Sequence, residues 1–206
     1  MLMIYGRANS INVMKVLWVC EELGCQFRRV DAGMEHGKVD DADFRAMNPN
    51  GRVPVINDDG FVLWESNAIV RYLAYKYGLG TMYPADVRQR AEAEQWMEWQ
   101  QTTVAPHLAW PFHGIIRRVP AFRNEARMQQ AADDLSDLYS VLDAHLSDRD
   151  YILGDRLTMA DIPLGVATWR WLNLPIKRAE LAHVEAWHER LLNREGFRQH
   201  VAHPLS

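Results

Sequence analysis

The run Asn48-Pro49-Asn50-Gly51-Arg52-Val53-Pro54-Val55-Ile56, with Trp64-Glu65-Ser66-Asn67-Ala68-Ile69 close behind it, constrains this chain more than any other feature. A turn-rich loop passes through a Val-Pro step into a short apolar strand, Val55 to Asn57. Asp58-Asp59-Gly60 is a turn former, so the chain is expected to double back as a hairpin into Phe61 to Leu63. Proline has no N–H and cannot pair inside a central strand, so at a strand's start it leaves neighbouring backbone free to pair with something else. Glu65 and Ser66 then open a helix, where unpaired amides and the helix dipole favour a ligand carboxylate. A free strand edge beside an anion-seeking helix end describes a groove for a short, anionic, peptide-like ligand.

The surrounding pattern places that hairpin in an α/β unit. Leu2 to Tyr5 reads as a strand and Ser10 to Leu23 as a helix stopped by Gly24. Phe27 to Val30 is a second strand, and a polar loop from Gly33 to Asp40 leads to a helical piece near Asp41 to Met47. Ser66 to Tyr77 is the helix after the hairpin, stopped by Gly78. The order β-α-β-α-β-β-α implies a mixed sheet. Gly78 to Pro84 is a linker, and no strand pattern follows it. Asp86 to Val104, Asn124 to Leu146, Thr158 to Trp171 and Glu180 to Asn193 carry helix-period apolar positions, with breaks expected at Pro106, Pro111, Pro120, Gly154 and Pro175. The chain therefore divides into residues 1–79, an α/β domain, and 85–206, an all-α domain. Around Thr158, a capping box with Asp161 and a staple of Leu157 with Ile162 explain the sequence structurally. Pro163, one turn into the expected helix, predicts a slight bend.

Composition excludes several classes. A net charge of −4 gives no reason to expect nucleic acid, and no long uncharged apolar run offers a membrane span. Met1 to Tyr5 lacks the basic and apolar regions of a signal peptide, so a cytoplasmic location is expected. Cys20 falls on the apolar stripe of the first helix with Val13, Val16 and Leu17, and Cys25 follows Gly24; the pair forms no CxxC motif and reads as two structural thiols. His183 and His188 miss one helical face and no HExxH occurs, so no metal is expected. Trp96, Trp99, Trp169 and Trp171 read as packing residues.

The Asn-Pro-x-Gly-x-Val-Pro block with Glu65-Ser66-x-Ala68-Ile69, the serine-containing loop after the first strand, and Leu157 to Ile162 together resemble the cytosolic-type glutathione S-transferase superfamily along nearly the whole chain. The resemblance implies a thioredoxin-like N-terminal domain, an all-α C-terminal domain and glutathione as co-substrate. Ser10-Ile11-Asn12-Val13-Met14-Lys15 is similar to the Ser/Thr-x-Asn-x-x-Lys pattern of bacterial, serine-type (theta- and nu-like) members, in which hydroxyl and amide face the glutathione sulfur. This implies Ser10 and Asn12 as the catalytic pair. The alternative is that Ser10 merely caps its helix, and Tyr5 is a rival activator. Activation must lower a thiol pKa of about 8.5 by about two units, roughly 2.7 kcal/mol, which a hydroxyl donor at a helix N-terminus can supply.

The resemblance also implies that Val53 pairs its backbone with the cysteinyl part of glutathione beside a cis bond to Pro54. Glu65 and Ser66 would hold the γ-glutamyl end, and Arg52 and Lys38 would face the glycine carboxylate. Trp110, Phe112, His113 and Ile116 are expected to line the pocket for a hydrophobic electrophile, peroxide or disulfide. A homodimer through the helices Ser66 to Tyr77 and Asp86 to Val104 is implied as well. Two alternatives keep the fold: a glutathione-dependent disulfide-bond reductase, and a non-catalytic interaction module.

Overall fold

A computed structural model describes all residues, 1–206. Strand β1 (Leu2–Tyr5) leads through helix α1 (Ile11–Glu22) to β2 (Phe27–Val30). Helix α2 (Ala42–Met47), β3 (Val55–Asp58), β4 (Phe61–Trp64) and α3 (Ser66–Gly78) complete the first part. The strands lie in the order β2-β1-β3-β4, with β1 and β2 parallel and the other neighbours antiparallel. Register pairs Ile4 with Ile56 and Tyr5 with Val55. Because side chains alternate across a strand, the two pairs serve opposite faces. Ile4 and Ile56 join the core with α1 and α3, whereas Tyr5 and Val55 pack with Phe44 of α2. This is the thioredoxin-like α/β unit, and a helical domain follows it.

That domain comprises α4 (Val87–Trp99), α5 (Ala105–Pro111), α6 (Glu125–His145), α7 (Asp161–Leu172), α8 (Ala182–Leu192) and α9 (Glu195–His200). No helix is long and apolar enough to cross a membrane. Two of the expected proline breaks do not occur. The chain stays helical from Val87 to Ile116, because π turns at Gln100–Val104 and Phe112–Ile116 join the α segments. In these turns the bonds run five residues back, as from Arg117 N–H to the Phe112 carbonyl. Pro106 and Pro111 thus fall at junctions where the regular four-residue ladder is already interrupted, and their missing N–H groups do not end the helix.

Helix α1 joins the two domains. Every residue from Val13 to Cys20 is buried, as expected of a helix packed on all sides. Trp18 meets Phe197 of α9 edge-on at 4.9 Å, and a Cβ on Gly165 of α7 would lie 2.8 Å from the Trp18 ring. Lys15 is the exception in this apolar surface. Fully buried, its ammonium donates to Gln100 Oε1 at 3.0 Å and Asn67 Oδ1 at 3.3 Å, with no carboxylate partner. Burial first, then the charge of Arg170, depresses its pKa to about 7.

Asp161, also fully buried, supplies one half of the expected capping box; Thr158 does not cap α7, which begins after Ala160. Its carboxylate accepts from the Thr158 amide at 2.8 Å and hydroxyl at 3.2 Å, and from the Ile152 amide and Trp187 Nε1 at 3.0 Å each. The expected bend at Pro163 has no basis. Helix α7 starts at Asp161, so Pro163 is its third residue, where an N–H has no partner within the helix to lose.

Candidate functional site

Where the two domains meet, a cleft of ≈ 500 Å³ opens beside the start of α1, a size suited to a small-molecule site. The α/β side supplies Ser10, Asn12, Arg52 and Val53, and the helical side supplies Phe112, His113, Arg117 and Arg170.

Ser10 is the N-cap residue of α1 in extended backbone, yet its side chain makes no capping bond. The hydroxyl of this nearly buried residue has no partner in the protein and is free to donate into the cleft. Asn12, two residues on, accepts at Oδ1 from the Ser66 hydroxyl at 3.2 Å, which leaves its amide N–H groups uncommitted. The first residues of α1 and α3 are thereby tied together, and neither helix start is capped by a side chain. Two unsatisfied sets of N–H groups favour negative charge at this point.

The Val53–Pro54 peptide is cis, and the Val53 N–H and C=O take part in no backbone hydrogen bond of the chain. Asn48, almost fully buried, fixes the loop before it: Nδ2 donates to the Arg52 carbonyl at 2.9 Å and Oδ1 accepts from the Asn50 amide at 3.0 Å. Glu65 precedes α3 at φ 72°, ψ 113°, an unusual state for a residue with a Cβ and one worth on the order of 1–3 kcal/mol of strain. Such strain persists where the surrounding structure imposes it, and here it lies at the helix start expected to bind the ligand.

The remaining expected residues are distributed unevenly. Phe112 and His113 line the cleft, but Trp110 and Ile116 do not. Trp110 packs against Phe122 at 5.1 Å, with Arg127 over its ring at 5.2 Å. Burial and the charges of Arg117 and Arg170 hold the His113 imidazole below its ordinary pKa, so it is neutral at pH 7. Lys38 is exposed, at φ 67°, and lies outside the lining, while its neighbour Val39 is part of it. Glu65 and Ser66 stand behind the lining, and Ser66 reaches it through Asn12. Tyr5 belongs to the small cluster on the far face of the sheet. No group of three or more His, Cys, Asp or Glu side chains is placed to hold a metal ion.

Sequence reasoning missed Arg7, Arg117 and Arg170, all of which line the cleft. For Arg170 a signal existed: it is a lone cation inside the apolar run of α7, 9% exposed, with its Cζ 3.5 Å from the centre of the Phe112 ring.

Comparison with known proteins places the chain in a family. The family model described as "Glutathione S-transferase, N-terminal domain" matches residues 1–75, and "Glutathione S-transferase, C-terminal domain" matches residues 102–195. Glutathione S-transferase GstB of Escherichia coli strain K12 is 36% identical over the full length of both chains. Glutathione S-transferase 3 of Zea mays is 32% identical over 98% of this chain and 93% of its own. Among solved structures, the theta class glutathione S-transferase of Xanthomonas axonopodis pv. citri with glutathione bound superposes with a TM-score of 0.94 at 40% identity. That match covers 100% of this chain and 99% of that one. Glutathione transferase F7 of Populus trichocarpa gives 0.87 at 25% identity over 100% of both. The chain belongs to the glutathione S-transferase family.

Proposed function

We propose that this enzyme binds glutathione with its thiol against Ser10 and Asn12 and uses the thiolate to attack a small electrophile. The observation that carries the proposal is the unbonded Ser10 hydroxyl at the uncapped start of α1, beside an Asn12 amide with free donors. Ser10 donates to the thiolate and holds it ionised, and Asn12 adds a second donor. A charge-assisted hydrogen bond together with the helix dipole supplies the roughly 2.7 kcal/mol that lowering a thiol pKa by about two units requires.

The peptide part of glutathione is held by neighbouring groups. Val53 pairs its free backbone with the cysteinyl residue, as a strand would. Glu65 takes the γ-glutamyl amine, and Ser66, whose hydroxyl is turned to Asn12, offers its backbone N–H at the start of α3 to the carboxylate. Arg52, at the exposed rim, takes the glycine carboxylate, with Lys38 flanking. Phe112 and His113 bound the space for the second substrate.

The assembly we propose is a homodimer through α3 and α4. On these helices Tyr75 and Tyr77 are 57% and 47% exposed and Val87 is 68% exposed, large apolar side chains open to a second copy. The free thiols of Cys20 and Cys25 suit the reducing cytoplasm.

Retention on immobilised glutathione with elution by free glutathione tests the binding site, and failure to bind removes it. A panel of an aryl halide, a hydroperoxide and a small disulfide separates transfer from disulfide reduction. Turnover of the disulfide alone would make the enzyme a reductase. Sedimentation giving only a 23.8 kDa species at micromolar concentration would exclude the dimer.

A further inference from the structure

Three arginines, two from the helical domain and one from the α/β domain, line the cleft. Arg170 of α7 and Arg117, just past the second π turn, place their Cζ atoms 3.5 Å and 5.2 Å from the centre of one ring, Phe112. Arg7, in the loop between β1 and α1, lines the same cleft, and its buried Nε has no partner. It fits because residue 33 is glycine: a Cβ there would stand 3.1 Å from Arg7 Nη1.

None of the three forms an ion pair with an Asp or Glu side chain, and the side chains of Arg7 and Arg170 make no hydrogen bond within the protein. The Arg117 guanidinium donates to Met34 Sδ at 2.7 Å and to a main-chain oxygen of Ser206, the last residue, at 3.1 Å. The acid whose field reaches Arg7 and Arg117 is Glu35, an exposed side chain already 3.3 Å from His36 Nε2. Burial presses all three guanidinium groups below their ordinary pKa, and the charge of Arg117 adds to this at Arg7 and Arg170. Guanidinium stays protonated even so. Converging, half-desolvated positive charges with no Asp or Glu in contact are unfavourable, and an anion entering the cleft relieves them.

We propose that the second substrate is a small electrophile bearing a carboxylate, held by Arg170, Arg117 and Arg7 with its reacting carbon toward the thiolate at Ser10. The proposal rests on the transferase reading above and deepens it. Glutathione's glycine end has Arg52 on the α/β side, whereas Arg117 and Arg170 share the helical side with Phe112 and His113, and Arg7 reaches the same cleft from the loop between β1 and α1. In the reaction the glutathione sulfur forms a C–S bond to the halogen-bearing carbon. The carbon–halogen bond breaks with its electron pair leaving as halide, and the thiol proton goes to solvent.

Iodoacetate and iodoacetamide test this, because they share one reacting centre and differ in charge. With glutathione in large excess and enzyme-free rates subtracted, kcat/KM relative to the uncatalysed constant should favour the acid by at least tenfold. Arg117→Met and Arg170→Met should each lower that acid-to-amide ratio by about ten- to a hundredfold, the size of a lost charge-assisted bond. Arg117→Lys should restore part of it. Arg117 is half-buried and its Met variant needs no new packing, so its result stands even if Arg170→Met fails to fold. Conjugation of the amide as well as the acid, or a ratio unmoved by Arg117→Met while the glutathione KM rises, overturns the proposal and leaves the transferase reading intact. Conjugation of neither alkylator, nor of any member of the panel, overturns both.

Discussion

The Ser66 hydroxyl donates to Asn12 Oδ1 across 3.2 Å, so the residue that opens α3 orients the amide beside the thiol position on α1. Substrate binding and thiol activation therefore share one contact. Ser66→Ala should weaken glutathione binding by about 1–3 kcal/mol. Because Asn12→Ala removes the acceptor for the same hydroxyl, the two losses should overlap by about 0.5 kcal/mol or more in a double-mutant cycle read by titration calorimetry. Strict additivity would mean that the contact carries no function.

Ser10→Ala should raise the pKa of bound glutathione by about one to two units and cut turnover in step, with a smaller change in affinity. The ultraviolet absorbance of the thiolate reports the pKa directly. Tyr5→Phe should do little, because Tyr5 packs with Phe44 and Val55 behind the sheet. Loss of the thiolate band in Tyr5→Phe alone would assign activation to the tyrosine.

Lys15 gives the fold a pH dependence of definite sign. Its pKa in the folded protein is about 7, below the 10.5 of a free lysine, so between those values the unfolded chain binds a proton that the folded chain does not. Stability from this residue should rise with pH across that window, and below it the full penalty of burying a charge remains. Compared with Lys15→Met, the wild type should gain up to about 3 kcal/mol between about pH 6.5 and 9.5 in denaturant titrations. Parallel pH curves for the two proteins would show that Lys15 titrates normally.

Gly165→Ala sets two effects against each other. Alanine improves helix propensity by about 1 kcal/mol, but its Cβ would sit 2.8 Å from both Trp18 Cζ3 and Leu191 Cδ1. Overpacking of that kind opposes the gain with about 1–3 kcal/mol, and both neighbours are fully buried with no room to give. The expected net result is destabilisation, visible as a lower Tm. A stabilised variant would mean that α7 can draw back from α1.

What the sequence made legible was what neighbouring residues decide among themselves. The hairpin, the succession of elements along the chain and the starts of α1 and α3 follow from Asp59-Gly60, from period-two and helical patterns, and from the Val53-Pro54 and Glu65-Ser66 steps. Pro106 and Pro111 misled because a proline's effect depends on the bonding of the turn beside it, and π geometry is a tertiary outcome. Helix α9 was overlooked for a similar reason. Its six residues carry little periodicity, and it is held by contact of Gly196 and Phe197 with Trp18. The arginine trio comes from three distant segments, so no local pattern could bring Arg7, Arg117 and Arg170 together. Arg170 and Lys15 share one trait that could have raised the question: each is a single cation in an otherwise apolar helix.

The two π turns make the long helix from Val87 to Ile116 sensitive to length as well as to chemistry. Each widened turn takes up one residue more than an α turn would. Removing one residue from Gln100–Val104 would let the ladder close regularly, but everything downstream would swing by about 100° around the helix axis. Phe112 and His113 would turn off the cleft, and Pro106 would meet an intact ladder. The address of the second-substrate wall is thus written in a residue count, and related enzymes that differ by one residue in this turn should present a different wall to the same thiol.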